Sequence, residues 1–222
     1  MLTLHHLNNS RSQRILWLLE ELGIAYEIKR YERNAKTMLA PPELKAVHPL
    51  GKSPLLSDDG LVIAESGAII EYLLERYGHG RFLPAAGTPE FLRYRYWLHY
   101  AEGSLMPLLV MKLVLSTVPG RTPALIRPIG RAIVGGVEQA FLGPQLKLHL
   151  DYVEAELGKS QWLVCDDLTG ADFQMSFPLE AASARAGGGA PRPRIKAFVE
   201  RIQSRPAYRR ALEKGGPYNI LG

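Results

Sequence analysis

Strand-like and helix-like patterns alternate along residues 1–80 of this chain, and beyond Pro89 the strand-like patterns stop. "LTLHHL" (2–7) reads as a strand. "SQRILWLLEELG" (12–23) places Ile15, Leu18, Leu19 and Leu22 on one helical face and ends at Gly23, a natural C-terminal cap. "AYEIKRY" (25–31) alternates as a second strand, and "PLLSDDGLVIA" (54–64) reads as two short strands around Asp59-Gly60, a strong hairpin signal. "SGAIIEYLLERYG" (66–78) returns to helical spacing. The order is β-α-β, a looser connecting stretch, then β-β-α, which specifies a small mixed-sheet domain.

After Pro89 only helical periods remain. "EFLRYRYWLHYAEGSLMPLLVMKLVL" (90–115) is a long helical candidate in which Gly103 and Pro107 are expected to introduce a bend. Further helices are expected over 145–158, 171–186 and 194–215, the last broken at Pro206. The stretch "GHGRFLPAAGTP" (78–89) has the Gly, Pro and Ala content of a domain boundary. The fold class is therefore α/β plus all-α: residues 1–80, a linker over 81–89, and a helical bundle over 90–222.

Composition narrows the function. A chain of 222 residues with 46% hydrophobic and 22% charged residues reads as an ordinary globular protein. Its first residues lack the basic-then-apolar pattern of a secretory leader, and the apolar run 105–115 is too short to span a bilayer and is broken by Pro107 and Lys112. A single cysteine, Cys165, excludes an intrachain disulfide and fits a reducing cytoplasm; it reads as a small apolar residue rather than a reactive thiol. The net charge of +5 is concentrated in 185–214, where nine Lys/Arg face only Glu200 and Glu213. Because Ile195, Phe198, Val199 and Ile202 recur there at helical spacing, an amphipathic helix with a solvated basic face is expected, not a nucleic-acid site. His5 and His6 alternate across a strand and cannot chelate one ion, so no metal is expected. The Gly187–Gly189 run reads as an interhelical loop, with no nucleotide-binding pattern around it.

The informative stretch is "HPLGKSPLL" (48–56). Proline removes a donor from a strand ladder and is usual at edges or in cis turns. A proline opening the third strand of this element order resembles the thioredoxin-like fold, where the bond is cis and the preceding residue, here Ser53, offers its backbone to an extended peptide. An exposed strand edge pairs with peptides by β-augmentation. Eleven residues on, Glu65-Ser66 opens a helix. Unpaired N–H groups there favour an anion, Ser66 can offer its hydroxyl to a carboxylate, and Glu65 can accept from an ammonium group. Taken singly, such a Glu-Ser pair is more often a plain helix cap; paired with Ser53-Pro54 at this spacing, it can hold one short peptide.

"SRSQRILWLLEELGIAYE", "HPLGKSPLL", "AESGAIIEYL" and "DLTGADFQMSFPLEAA" together resemble the cytosolic glutathione transferases, in order and over nearly the whole chain. The helical stretch near 119–144 is similar to a bacterial and fungal subgroup. The resemblance implies that Ser53, Pro54, Glu65 and Ser66 bind glutathione, that Lys52 meets its glycyl carboxylate, and that the protein is a homodimer. Two departures stand out: His48-Pro49 where the family commonly has Asn-Pro, and Ser53 where it commonly has valine. Thr169 and Asp172 form an S/T-x-x-D capping pattern whose expected role is structural.

The implied chemistry needs an activated thiol. Glutathione's thiol has a reference pKa near ~8.5, so about 3% is thiolate at pH 7; lowering it by ~2 units takes about 2.7 kcal/mol. The donor is expected in "NNSRS" (8–12), where Ser10 is the first choice, with Asn9 and Ser12 as rivals; each could instead merely cap the first helix. With neither tyrosine nor cysteine in that loop, a serine-type enzyme is expected. The acceptor pocket is expected around Tyr96, Tyr100, Met106 and Leu109, although such a stripe is equally the signature of a core. The expected function is transfer of glutathione to a hydrophobic electrophile, with peroxidase or dehalogenase chemistry as related outcomes. The alternative is a non-catalytic binding or assembly module on the same fold; survival of the peptide-binding groups favours the enzyme.

Overall fold

The computed structural model describes residues 1–185 and 191–220; the Gly187–Gly189 run lies outside them. The first eighty residues form β1 (Thr3–Leu7), α1 (Ser12–Leu22), β2 (Glu27–Tyr31), α2 (Glu43–Val47), β3 (Leu55–Asp58), β4 (Leu61–Ala64) and α3 (Ser66–Tyr77). The four strands lie in the order β2-β1-β3-β4, with β1 parallel to β2 and the other two pairings antiparallel. Local chemistry accounts for the boundaries. Gly23 ends α1 in the left-handed conformation (φ 68°), and Asp59 and Gly60, both at positive φ, close the β3–β4 hairpin. The short α2 falls in the stretch read from sequence as a connection.

The helical part consists of α4 (Pro89–Tyr100), α5 (Met106–Arg121), α6 (Arg127–Val137), α7 (Gly143–Glu156), α8 (Gly170–Arg185), α9 (Pro193–Ser204) and α10 (Pro206–Gly215). A π turn, Ala101–Leu105, joins α4 to α5, and a second, Glu138–Leu142, joins α6 to α7. Each ends two residues before a proline, Pro107 or Pro144. Proline cannot donate to the carbonyl four residues back and its ring crowds that carbonyl; a wider turn relieves both problems. The result is one uninterrupted helix, Pro89–Arg121, rather than two pieces. The apolar run 105–115 is thus part of a 33-residue helix that passes the length and composition test for a membrane span. One face of it, including Tyr94, Trp97, Leu98, Ala101 and Leu105, is buried in the protein core, while Val110, Met111, Leu113 and Val114 are exposed.

One hydrophobic core runs through both parts of the chain. It joins Leu4, Trp17 and Ile70 to Trp97, Phe173 and Phe198. Trp17 of α1 packs 4.2 Å from Phe173 of α8 and 5.7 Å from Tyr208 of α10, measured between ring centroids. The basic C-terminal segment buries Ile195, Phe198, Val199 and Ile202, and Arg210 and Lys214 pair with Glu20 of α1. At the start of α8, Asp172 accepts from the backbone N–H groups of Leu163 and Thr169, both at 2.9 Å, and from the Thr169 hydroxyl at 3.0 Å. Burial pushes its carboxyl up to about 6, against the pull of these bonds.

His6 gives the fold a pH dependence. Its ring is buried beneath α1, with Nδ1 2.9 Å from the Ser12 Oγ. Burial first, then the charge of Arg30, lowers it to about 4, against a backbone bond at Gly215. Between about 4 and its ordinary value of 6.5 the unfolded chain takes up a proton that the folded chain refuses. Stability from this group is therefore complete above pH 6.5 and declines as pH falls toward 4, by on the order of 3 kcal/mol. Urea unfolding of wild type and His6→Asn between these limits should show the wild type losing its lead on acidification; parallel curves would remove His6 as the cause.

Candidate active site

A cleft of about 390 Å³ opens where the β1–α1 turn, the entrance to β3 and the start of α3 meet the π turn of the long helix. Its walls include Lys52, Ser53, Pro54, Glu65 and Ser66, so five residues singled out in the sequence converge. The Ser53–Pro54 bond is cis. The β1–β3 register ends at His5 and Leu55, which leaves the Ser53 backbone outside the ladder. Its hydroxyl donates to the His5 carbonyl at 3.1 Å, so this departure from the usual valine is absorbed within the fold.

Glu65 has φ 69° and ψ 121°, a left-handed conformation that a side chain with a Cβ rarely adopts. Such strain costs on the order of 1–3 kcal/mol and clusters at functional sites. Here it holds an exposed carboxylate at the cleft wall immediately before α3. Ser66 is buried at the first position of that helix, and its hydroxyl has no hydrogen-bond partner among the described residues. The cleft is therefore edged by a free hydroxyl and by the unpaired N–H groups of a helix start, which suit an anion. Arg11, Arg33 and Lys52 face two carboxylates, Glu65 and Glu102, so positive charge prevails.

The candidates in 8–12 are placed differently. Ser10 is 4% exposed; its hydroxyl donates to the Leu7 carbonyl at 2.8 Å and accepts from the Ser12 amide at 3.2 Å. Ser12 is fully buried, tied to His6 and Leu7. Asn9 has positive φ (49°), and its Oδ1 accepts from the Asn219 backbone at 2.6 Å. None of the three lines the cleft, which receives Arg11 from this turn instead.

Beside the cleft runs an apolar groove of about 490 Å³, lined by Met106, Pro107, Val110, Met111, Val114 and Leu115 together with Arg11 and Glu102. Of the four residues expected at the acceptor site, Met106 lines this groove. Leu109 is buried in the core, and Tyr96 and Tyr100 join an aromatic cluster with Trp97 and Tyr152. Arg11, Arg33 and Glu102 were not among the expected site residues. Arg11 sits in the loop 8–12, where neutral hydroxyl and amide groups are the more obvious thiol donors; Arg33 and Glu102 carry no local signal. Cys165 is half-buried, its Sγ 3.5 Å from the Asp167 carbonyl. His5 and His6 bond on opposite sides of β1, to Tyr31 and to Ser12, and no group able to hold a metal occurs among the described residues.

The described residues thus join a mixed four-stranded sheet, with a cis proline at the entrance to β3, to a helical bundle that contributes an apolar groove. Known proteins with this two-part arrangement are glutathione S-transferases. The family description "Glutathione S-transferase, N-terminal domain" matches residues 1–75, and "Glutathione S-transferase, C-terminal domain" matches 117–206. The chain is 40% identical over 214 residues to Glutathione S-transferase 3 of Schizosaccharomyces pombe, covering 96% of this chain and 88% of that protein. It is 38% identical over 224 residues to Glutathione S-transferase 1 of Saccharomyces cerevisiae, covering 96% and 95%. A crystal structure of a glutathione S-transferase from Actinobacillus pleuropneumoniae superposes with a TM-score of 0.82 at 40% identity, covering 99% of this chain and 95% of that one. The chain belongs to the glutathione S-transferase family and is a transferase enzyme.

Proposed function

We propose that this enzyme joins the sulfur of glutathione to hydrophobic electrophiles, with peroxidase or dehalogenase turnover as variants of the same site. The observation that supports this most is the junction of a peptide-binding, cationic cleft with an apolar groove through two shared residues, Arg11 and Glu102. In this reading the Ser66 hydroxyl and the start of α3 hold the γ-glutamyl carboxylate, and Glu65 holds its ammonium group. The Ser53 backbone pairs with the cysteinyl unit, and Lys52 meets the glycyl carboxylate. The tripeptide is then stretched so that its sulfur points toward the groove. A bound nucleophile and a bound electrophile react as one unit, which removes much of the entropic cost of their encounter.

The proposal extends to detoxification of such electrophiles in the cytoplasm, by a homodimer whose residues 1–80 carry glutathione and whose residues 90–222 shape the acceptor groove. Exposed Leu92, Tyr96, Leu148 and Tyr152 on α4 and α7 supply an apolar face for the second copy.

Calorimetric titration with glutathione, followed by turnover of chlorodinitrobenzene, tests the reading; no binding heat and no turnover would refute it. Ser66→Ala is expected to weaken glutathione binding by about 10- to 100-fold, the worth of one hydrogen bond to a charged group. Its turnover at saturating glutathione should stay within about threefold of wild type, because the lost contact lies far from the sulfur. Unchanged affinity would take Ser66 out of the site.

A further inference from the structure

The hydroxyls expected to activate the thiol are engaged inside the fold, and a different group stands at the meeting point of the two cavities. Arg11 immediately precedes α1 and lines both the cleft and the groove. Its side chain is about one-third exposed (34%), enough to meet a ligand, and its Nε donates to both Glu102 oxygens at 3.0 and 2.9 Å. The same carboxylate takes a bond from Arg14 Nη2 at 2.5 Å, so one anion stands between two guanidiniums; Arg33 adds positive charge near Arg11, and the buried Glu180 carboxyl lies within range of Arg14. The Phe177 ring lies 5.7 Å from the Arg11 Cζ and 5.4 Å from the Arg14 Cζ. Burial would raise the Glu102 carboxyl, but Arg14 and Arg11 outweigh it and hold it below its ordinary value.

The clamp depends on an irregularity of the backbone. Glu102 lies within the π turn Ala101–Leu105, and π turns recur at functional sites. The turn presents this carboxylate to the start of α1 from the helical half of the molecule, while Arg11 comes from the sheet half.

Resting on the proposed glutathione reading, we propose that Arg11, held by Glu102, is the cation that keeps the glutathione sulfur as thiolate where the cleft meets the groove. Guanidinium donates hydrogen bonds and accepts none, so Arg11 cannot act as a base. The thiol proton therefore leaves to solvent, and the S–H electron pair stays on sulfur beside Arg11 and the N-terminus of α1. Two sources of positive potential then act on the same atom, the pattern that lowers thiol pKa values elsewhere. The thiolate next forms its S–C bond with an electrophile in the groove while the bond to the leaving group breaks and its electron pair departs with that group.

The test is an ultraviolet titration of the bound glutathione thiol in wild type, Arg11→Gln and Arg11→Lys, with folding checked by circular dichroism and steady-state kinetics run on each. Wild type should titrate well below the free thiol. Arg11→Gln should titrate about one unit higher, tenfold less thiolate at a given acidic pH, and lose about tenfold in kcat. Its affinity for glutathione measured where the thiol is protonated should stay within about threefold of wild type, because the contact is to the anion alone. Arg11→Lys keeps the charge and should recover most of the shift. An Arg11→Gln protein that titrates like wild type would overturn the arginine assignment and leave glutathione binding intact. A wild type that binds no glutathione would instead overturn the reading beneath it.

Discussion

Asp172→Ala is expected to remove about 3–5 kcal/mol of stability, a large share of the ~5–15 kcal/mol that holds a typical domain together. The substitution removes one side chain but leaves three donors without an acceptor: the N–H groups of Leu163 and Thr169 and the Thr169 hydroxyl. Asp172 is completely buried, so water does not replace it. A buried donor left unsatisfied costs on the order of 1–3 kcal/mol, and partial relaxation keeps the total near the lower end of the sum. Asp172→Asn keeps a single acceptor oxygen and should fall between alanine and wild type. Urea unfolding at constant m-value will rank the three. An alanine variant within 1 kcal/mol of wild type would show that the α8 cap contributes little.

Glu102→Ala should be comparably damaging through the opposite kind of group. Arg14 has no exposed side-chain surface, and its partners are Glu102 and the Gln174 carbonyl, 2.6 Å from Nη1. Deleting the carboxylate strands a buried cation, which costs about 3–5 kcal/mol in comparable cases. Arg11, being partly exposed, can turn to water and adds little to the loss. The control is the pair Arg14→Met with Glu102→Leu, which removes both charges and should recover most of the stability. If the double variant is no more stable than Glu102→Ala, the stranded guanidinium is not the cause. The activity of Glu102→Ala should also fall, since its loss frees the Arg11 side chain from the position that both cavities share.

What could be read from the sequence was what depends on neighbours in the chain. Gly23, the Asp59-Gly60 hairpin and the Thr169–Asp172 cap each announce a local conformation, and the structure has each of them in place. The Ser53-Pro54 turn and the helix start at Glu65-Ser66 were legible as local conformations because turn and helix-start chemistry is short-ranged. The Arg11–Glu102 clamp was not, because its partners are 91 positions apart and neither segment carries a mark of the other. The acceptor residues are divided between groove and core for a further reason. Tyr96 and Tyr100 are four apart and share a face, whereas Met106 is six positions beyond Tyr100, about 120° around a regular α-helix, and the π turn at 101–105 lies between them. One extra residue in a helix rotates everything beyond it by about 100°, so the face that Met106 and Leu109 present cannot be counted from the tyrosines by the α-helical period alone. A periodicity count sees the proline at 107 without seeing how the backbone accommodates it.

Helix α1 has ten of its eleven residues buried, and its covers come from far along the chain: Phe173, Tyr208, and Arg210 and Lys214 over Glu20. The change from strand-bearing to all-helical structure after α3 therefore divides the topology without dividing the energetics. On a ribosome, where the chain emerges from its N-terminus at roughly 5–20 residues per second, that ordering has a cost in time. The sheet half leaves the exit tunnel with Trp17 and its neighbours uncovered, and stays so for the seconds needed to synthesise α8 and α10. A nascent chain paused between residues 80 and 170 presents an apolar flank to whatever chaperones attend the tunnel mouth, and closes it only when its last helices arrive.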